Sequence, residues 1–118
     1  MLNNIINIDE LNKKIEKEKK ELIKKMKLFL KLKGISQTQL ADEINEDIKS
    51  VNQIVNLKKF NTKVAVKIML FFKMEYDFCV FLFNKVGIGL SNFNVEERKY
   101  RYLLKISEKV DLEMIKKL

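Results

Sequence analysis

The sequence predicts an all-α chain. Apolar residues recur at three- and four-residue spacing along most of its length, and no proline interrupts the 118 residues. The breaks between periodic segments fall on glycine, serine, asparagine and aspartate, the residues that cap and turn helices. Only Tyr76–Leu90 has a composition that also suits strands.

Asp9 to Lys33 reads as one long helix or two abutting ones. Asp9 and Glu10 suit its N-terminal end, and lysines crowd its last turns, as the helix macrodipole favours. Leu11, Ile15, Leu22, Met26 and Phe29 form an apolar stripe that Glu18 interrupts. Pairs such as Glu16–Lys20 and Glu21–Lys25 fit a solvated face, and the same lysine-rich stretch also fits a short dimerising coiled coil or a phosphate-binding arm. Gly34, free to turn left-handed, ends the helix.

Ser36 is placed to cap a helix over Gln37–Ile44, with Leu40, Ala41 and Ile44 inward. Asn45–Glu46 makes a tight turn, and Asp47 caps the next helix, Ile48–Leu57, with Val51, Ile54 and Val55 inward. Thr62 caps a fourth helix through Phe72, which buries Val64 or Ala65, Ile68, Met69 and Phe72. Tyr76–Leu90 fits a short buried fifth helix or a hairpin turning at Gly87 and Gly89. That Gly-x-Gly lacks a third glycine and a following helix cap, so it is a turn and not a phosphate cradle. Asn94, with Glu97 three residues on, opens a helix to about Val110 that carries Tyr100, Leu103, Leu104 and Ile106, and Asp111 caps a last turn or two.

Composition removes whole classes of chemistry. Without histidine, and with one cysteine, the chain holds no His-based triad, His-containing zinc site, disulfide framework or CxxC pair. Cys79, in an apolar run, reads as a buried small hydrophobe in a reducing compartment. Asp42–Glu43 and Glu46–Asp47 are adjacent acids on caps and exposed faces, not an acid/base pair in a pocket. No catalytic residue, metal or cofactor is expected, and the chain is not read as an enzyme. No targeting segment is visible, and the most apolar stretch, Tyr76–Phe83, is far shorter than the ~20 residues a membrane span needs. A cytoplasmic protein without membrane contact is expected.

The net charge of +8 is unevenly spread. Residues 9–33 and 58–73 each carry +5, and residues 34–57 between them carry −3. A polyanion is expected to meet the two basic blocks.

Two short helices joined by a tight turn, with a small residue at their crossing, form a helix-turn-helix unit. Gln37–Asn56 meets that description. Leu40 and Ile44 pack on the rest of the domain, Ala41 permits a close crossing, Asn45 turns the chain, and Val51 and Ile54 anchor the second helix. Its outer face then carries Lys49, Ser50, Asn52, Gln53 and Asn56. With Gly34-Ile35-Ser36-Gln37-Thr38-Gln39-Leu40-Ala41-Asp42-Glu43-Ile44 leading in, the segment resembles the lambda-repressor/Cro-like (XRE) family of helix-turn-helix proteins. The resemblance covers about residues 21–83 and implies a five-helix domain. The chain then divides into a charged helical extension (1–20), a DNA-binding domain (21–84) and a C-terminal helical extension (85–118).

The resemblance implies that Gln37 bonds a phosphate and that Ile48, Lys49, Asn52 and Gln53 face the major groove. The residue types suit those tasks: Asn and Gln take an adenine edge, Lys donates to guanine, and Ile48 touches a thymine methyl. Asn56 shares that face. Lys58 and Lys59 are placed for the phosphate backbone, with Lys63 a weaker candidate. Three departures from the family pattern stand out. Glu46 replaces the apolar plug of the turn, which points to a repacked turn with Ile48 inward; Asp47 replaces a hydroxyl cap; and Leu57 replaces a glycine.

The expected function is therefore sequence-specific binding of double-stranded DNA by a transcriptional regulator, a repressor by type, acting as a homodimer on a two-fold operator. Tyr100, Leu103 and Leu104 are then candidate dimer contacts, or alternatively cover the domain's own core. The alternative is a protein-binding adaptor on the same fold, such as a phage-encoded (anti-CRISPR-like) inhibitor or an antitoxin, which Glu46 and Asp47 favour. The region after Phe83 is too short for a separate sensing domain, so the sequence argues for no ligand pocket.

Overall fold

A computed structural model describes residues 7–86 and 94–118. Among these there is no strand. The helices run in the order α1 (Ile8–Lys33), α2 (Gln37–Ile44), α3 (Ile48–Val55), α4 (Thr62–Phe71), α5 (Tyr76–Lys85), α6 (Val95–Lys105) and α7 (Leu112–Lys116), with a 3-10 turn over Ser107–Lys109. The apolar run from Tyr76 is thus helical, and the glycine turn expected at 87–89 lies outside the described residues. No helix among the described residues is long and apolar enough to cross a membrane.

Most caps form from side chains adjacent to the helix they close. Ser36 and Gln39 make a reciprocal capping box on α2, with bonds of 3.1 and 2.7 Å. Asp47 caps α3, Asn94 caps α6 and Asp111 caps α7. Two caps sit one or two residues earlier than expected. Asn7, not Asp9, accepts from the N–H groups of Asp9 and Glu10, and Asn61, not Thr62, caps α4. Gly34 and Asn45 end α1 and α2 with φ of 69° and 57°, left-handed as expected. α6 stops at Lys105, short of the expected Val110, because the Lys73 Nζ donates to the carbonyls of Ser107 and Val110, both at 2.6 Å, and holds that stretch as a 3-10 turn.

α4 lies at the centre, with every residue from Val64 to Leu70 buried. Around it pack Leu40, Ala41 and Ile44 of α2; Val51, Ile54 and Val55 of α3; Cys79, Leu82 and Phe83 of α5; and Tyr100, Leu103 and Leu104 of α6. α1 joins this core only through its second half. Met26 and Leu30 are buried, and Phe29 meets the rings of Phe72 and Phe78 at 5.7 and 6.1 Å.

The first half of α1 departs from the expected stripe. Ile8, Leu11 and Ile15 are exposed, and the helix, about 39 Å long at 1.5 Å per residue, contributes to a longest dimension of 56 Å against 34 and 22 Å. Glu18, the residue that breaks the stripe, bonds Lys85 at 2.9 Å and ties α1 to the end of α5. The expected Glu16–Lys20 and Glu21–Lys25 pairs are not among the ion pairs of the described residues; Lys25 lies over the Phe78 ring instead, 4.8 Å from its centre.

Candidate nucleic-acid interface

α2 and α3 are joined by Asn45, Glu46 and Asp47, with Ala41 buried at their crossing. α3 buries Val51, Ile54 and Val55 beneath it. That burial turns positions 49, 52, 53 and 56 to the opposite side, at the spacing of a single helical face. Lys49 and Asn52 are exposed, and Gln53 and Asn56 half-buried.

The Asn52 Nδ2 donates to the Gln37 Oε1 at 3.0 Å, linking the start of α2 to the middle of α3. Asn52 retains one N–H and its carbonyl oxygen, the pair required to bond an adenine edge twice. Gln37 retains its own amide N–H groups for a phosphate oxygen. Asn56 is partly committed: its Nδ2 donates at 2.9 Å to the Asn52 main-chain carbonyl, which also accepts the Asn56 N–H at 3.0 Å. Past that end, Leu57 is left-handed at φ 50°. Such a residue carries about 1–3 kcal/mol of backbone strain. The turn is held by Leu57 N–H on the Ile54 carbonyl and Lys58 N–H on the Gln53 carbonyl, at 3.0 and 2.9 Å. It brings out Lys58 and Lys59, both exposed.

The two acids of the turn have internal tasks. Asp47 accepts from the Ser50 N–H at 2.8 Å and from the Ser50 hydroxyl at 3.1 Å. Those bonds, the backbone one foremost, hold its carboxyl below the usual aspartate range, so it stays charged at the positive end of α3. Glu46 reaches inward to Lys67 on α4, with its Oε2 at 2.6 Å from the Lys67 Nζ and 3.8 Å from that of Lys63. The Lys67 side chain is 2% exposed and also donates to the Ile44 carbonyl at 3.0 Å and the Lys116 carbonyl at 3.4 Å. One ammonium therefore gathers the ends of α2 and α7 and the carboxylate of the turn. Ile48 is 44% exposed; it does not turn inward as expected, because Glu46 with Lys67 fills the turn.

Lys67 has no counterpart in the sequence reading, although a signal for it exists. A helix apolar on every side is buried, so a lone lysine in Val-Ala-Val-Lys-Ile-Met-Leu requires an internal partner.

Tyr100, Leu103 and Leu104 are 7, 9 and 1% exposed within the single chain. They cover the chain's own core against α4 and α5, the second of the two readings the sequence left open, and leave little surface exposed within the single chain. Among the described residues, no three acid or cysteine side chains are grouped to hold a metal ion.

The chain matches no protein-family model, no curated protein and no solved structure.

Proposed function

We propose that the chain is a lambda-repressor/Cro-like regulator that reads double-stranded DNA with α3 in the major groove. The observation that carries this reading is the α2–α3 unit itself. A three-residue turn and a buried Ala41 set the two helices in close contact, and the Gln37–Asn52 bond fixes the outward face that holds Lys49, Asn52 and Gln53. Each of those residues bears donors or acceptors suited to base edges. Lys58 and Lys59 stand at the end of that face for the backbone. Asn56 and Ile48 contribute at its margins, Asn56 with the capacity left after its capping bond.

Of the four acids in residues 34–57, Glu46 is paired inward with Lys67, which takes one charge from the basic block 58–73 as well, and Asp47 serves as a cap. The protein-binding alternative drew on those two acids, of which Glu46 is turned inward to Lys67 while Asp47 stays exposed. A homodimer on a two-fold operator belongs to the proposal, with an interface built from side chains other than Tyr100, Leu103 and Leu104.

The test is titration of the isotope-labelled chain with a short mixed-sequence duplex, followed through its amide and side-chain NMR signals. Shifts concentrated at Gln37, Lys49, Asn52, Gln53, Lys58 and Lys59 support the reading. Shifts that leave α3 untouched contradict it.

A further inference from the structure

We propose that a hollow between the middle of α1, the turn after α3 and the end of α5 binds a small amphiphile with one anionic head group. This site does not rest on the DNA reading, although Lys58 lines both. The hollow measures about 350 Å³, within the ~300–1,000 Å³ typical of small-molecule sites. Its apolar lining comes from three separate parts of the chain: Ile15 and Leu22 on α1, Leu57 and Phe60 in the α3–α4 connection, and Val86 after α5. Phe60 is set in place by an edge-on contact with the Phe83 ring at 5.5 Å.

Three lysines, Lys19, Lys58 and Lys85, and one acid, Glu18, complete the lining. Glu18 is taken by Lys85 at 2.9 Å. Lys19 and Lys58 have no ion-pair partner among the described residues and are exposed. Two uncompensated ammonium groups beside an apolar lining match a ligand that is apolar over most of its length and negative at one end. A wholly apolar ligand leaves both charges unused, and a small inorganic anion leaves the lining unfilled. The exposed apolar side chain of Ile15, on a helix otherwise crowded with lysine, then has a ligand to cover it.

The experiment is calorimetric titration of the full chain with sodium decanoate below its micelle concentration, with decyl phosphate and decanol alongside. The expected result is saturable one-to-one binding of decanoate or decyl phosphate, the tighter of the two identifying the head group. The Lys19→Gln/Lys58→Gln variant weakens it about tenfold. Ile15→Trp, at a half-exposed position that tolerates a larger side chain, fills the hollow and abolishes binding while the thermal melt is retained. Failure of both anions to saturate overturns the proposal. So does decanol binding as tightly as the anions, or anion binding that is unaffected by Ile15→Trp.

Discussion

Lys67 and Glu46 show how one pair sets the geometry of a turn. Burying an ammonium costs several kcal/mol unless charge and hydrogen bonds replace water; here a carboxylate and two helix-terminal carbonyls do so. Lys67→Met removes the cation, leaves Glu46 facing inward, and is expected to cost about 3 kcal/mol in urea unfolding. Adding Glu46→Leu should recover most of that loss, since an apolar pair suits the site; strictly additive losses would show that the two do not act together. Cys79 makes the second residue-scale prediction. Burial pushes its thiol up to about 12. The stability this contributes is complete below the unfolded thiol's range, near ~8.5, and is lost as pH rises toward 12. At pH 8.5 the native chain should resist alkylation that goes to completion in urea; equal rates in both would contradict the burial. Cys79 as a buried hydrophobe was legible from its apolar neighbours. Lys67 was legible only as a misfit, because its partner lies on a different helix.

At the scale of elements, α2 and α3 act as one unit, and its two tasks separate by mutation. Ala41→Leu forces a larger side chain into the crossing and should cost about 1–3 kcal/mol of stability, read by thermal melting. Gln53→Ala should leave stability unchanged but cost about 1–3 kcal/mol on a selected site and little on random DNA. Lys59→Ala should weaken both and lower the salt slope by about one; equal losses on both duplexes for Gln53→Ala would remove its base-reading role. Helix starts were well marked in the sequence because a cap bonds backbone within three residues of itself, as Ser36, Asp47, Asn94 and Asp111 do. Where two capping residues lie close together, as with Asn7 and Asp9 or Asn61 and Thr62, the order was not legible. The end of α6 was hidden for a different reason, since Lys73 acts on it from 34 and 37 residues away.

Over the whole molecule, a lysine-rich helix extends from a core centred on α4. The first half of α1 buries no side chain, so Ile8→Ala/Leu11→Ala should change the unfolding free energy by less than about 1 kcal/mol, measured by urea titration. A loss of several kcal/mol would mean that Ile8 and Leu11 support the core after all. The sequence marked this boundary at Glu18, where the apolar stripe fails. It did not mark the hollow beside it, whose lining comes together only when α1, the α3–α4 connection and α5 pack. Nor did it place α6, whose apolar face fits a core and a dimer seam equally well by pattern; only the position of α4 decides. The central claim remains that α3 reads DNA. Its most direct test is selection of the purified chain on a random duplex library, with binding of the enriched sequence followed against salt. The account predicts an enriched inverted repeat, its half-sites about one helical turn apart, with affinity retained at a salt concentration that removes random duplex. No enriched sequence, and weak binding that disappears as salt rises, would contradict it.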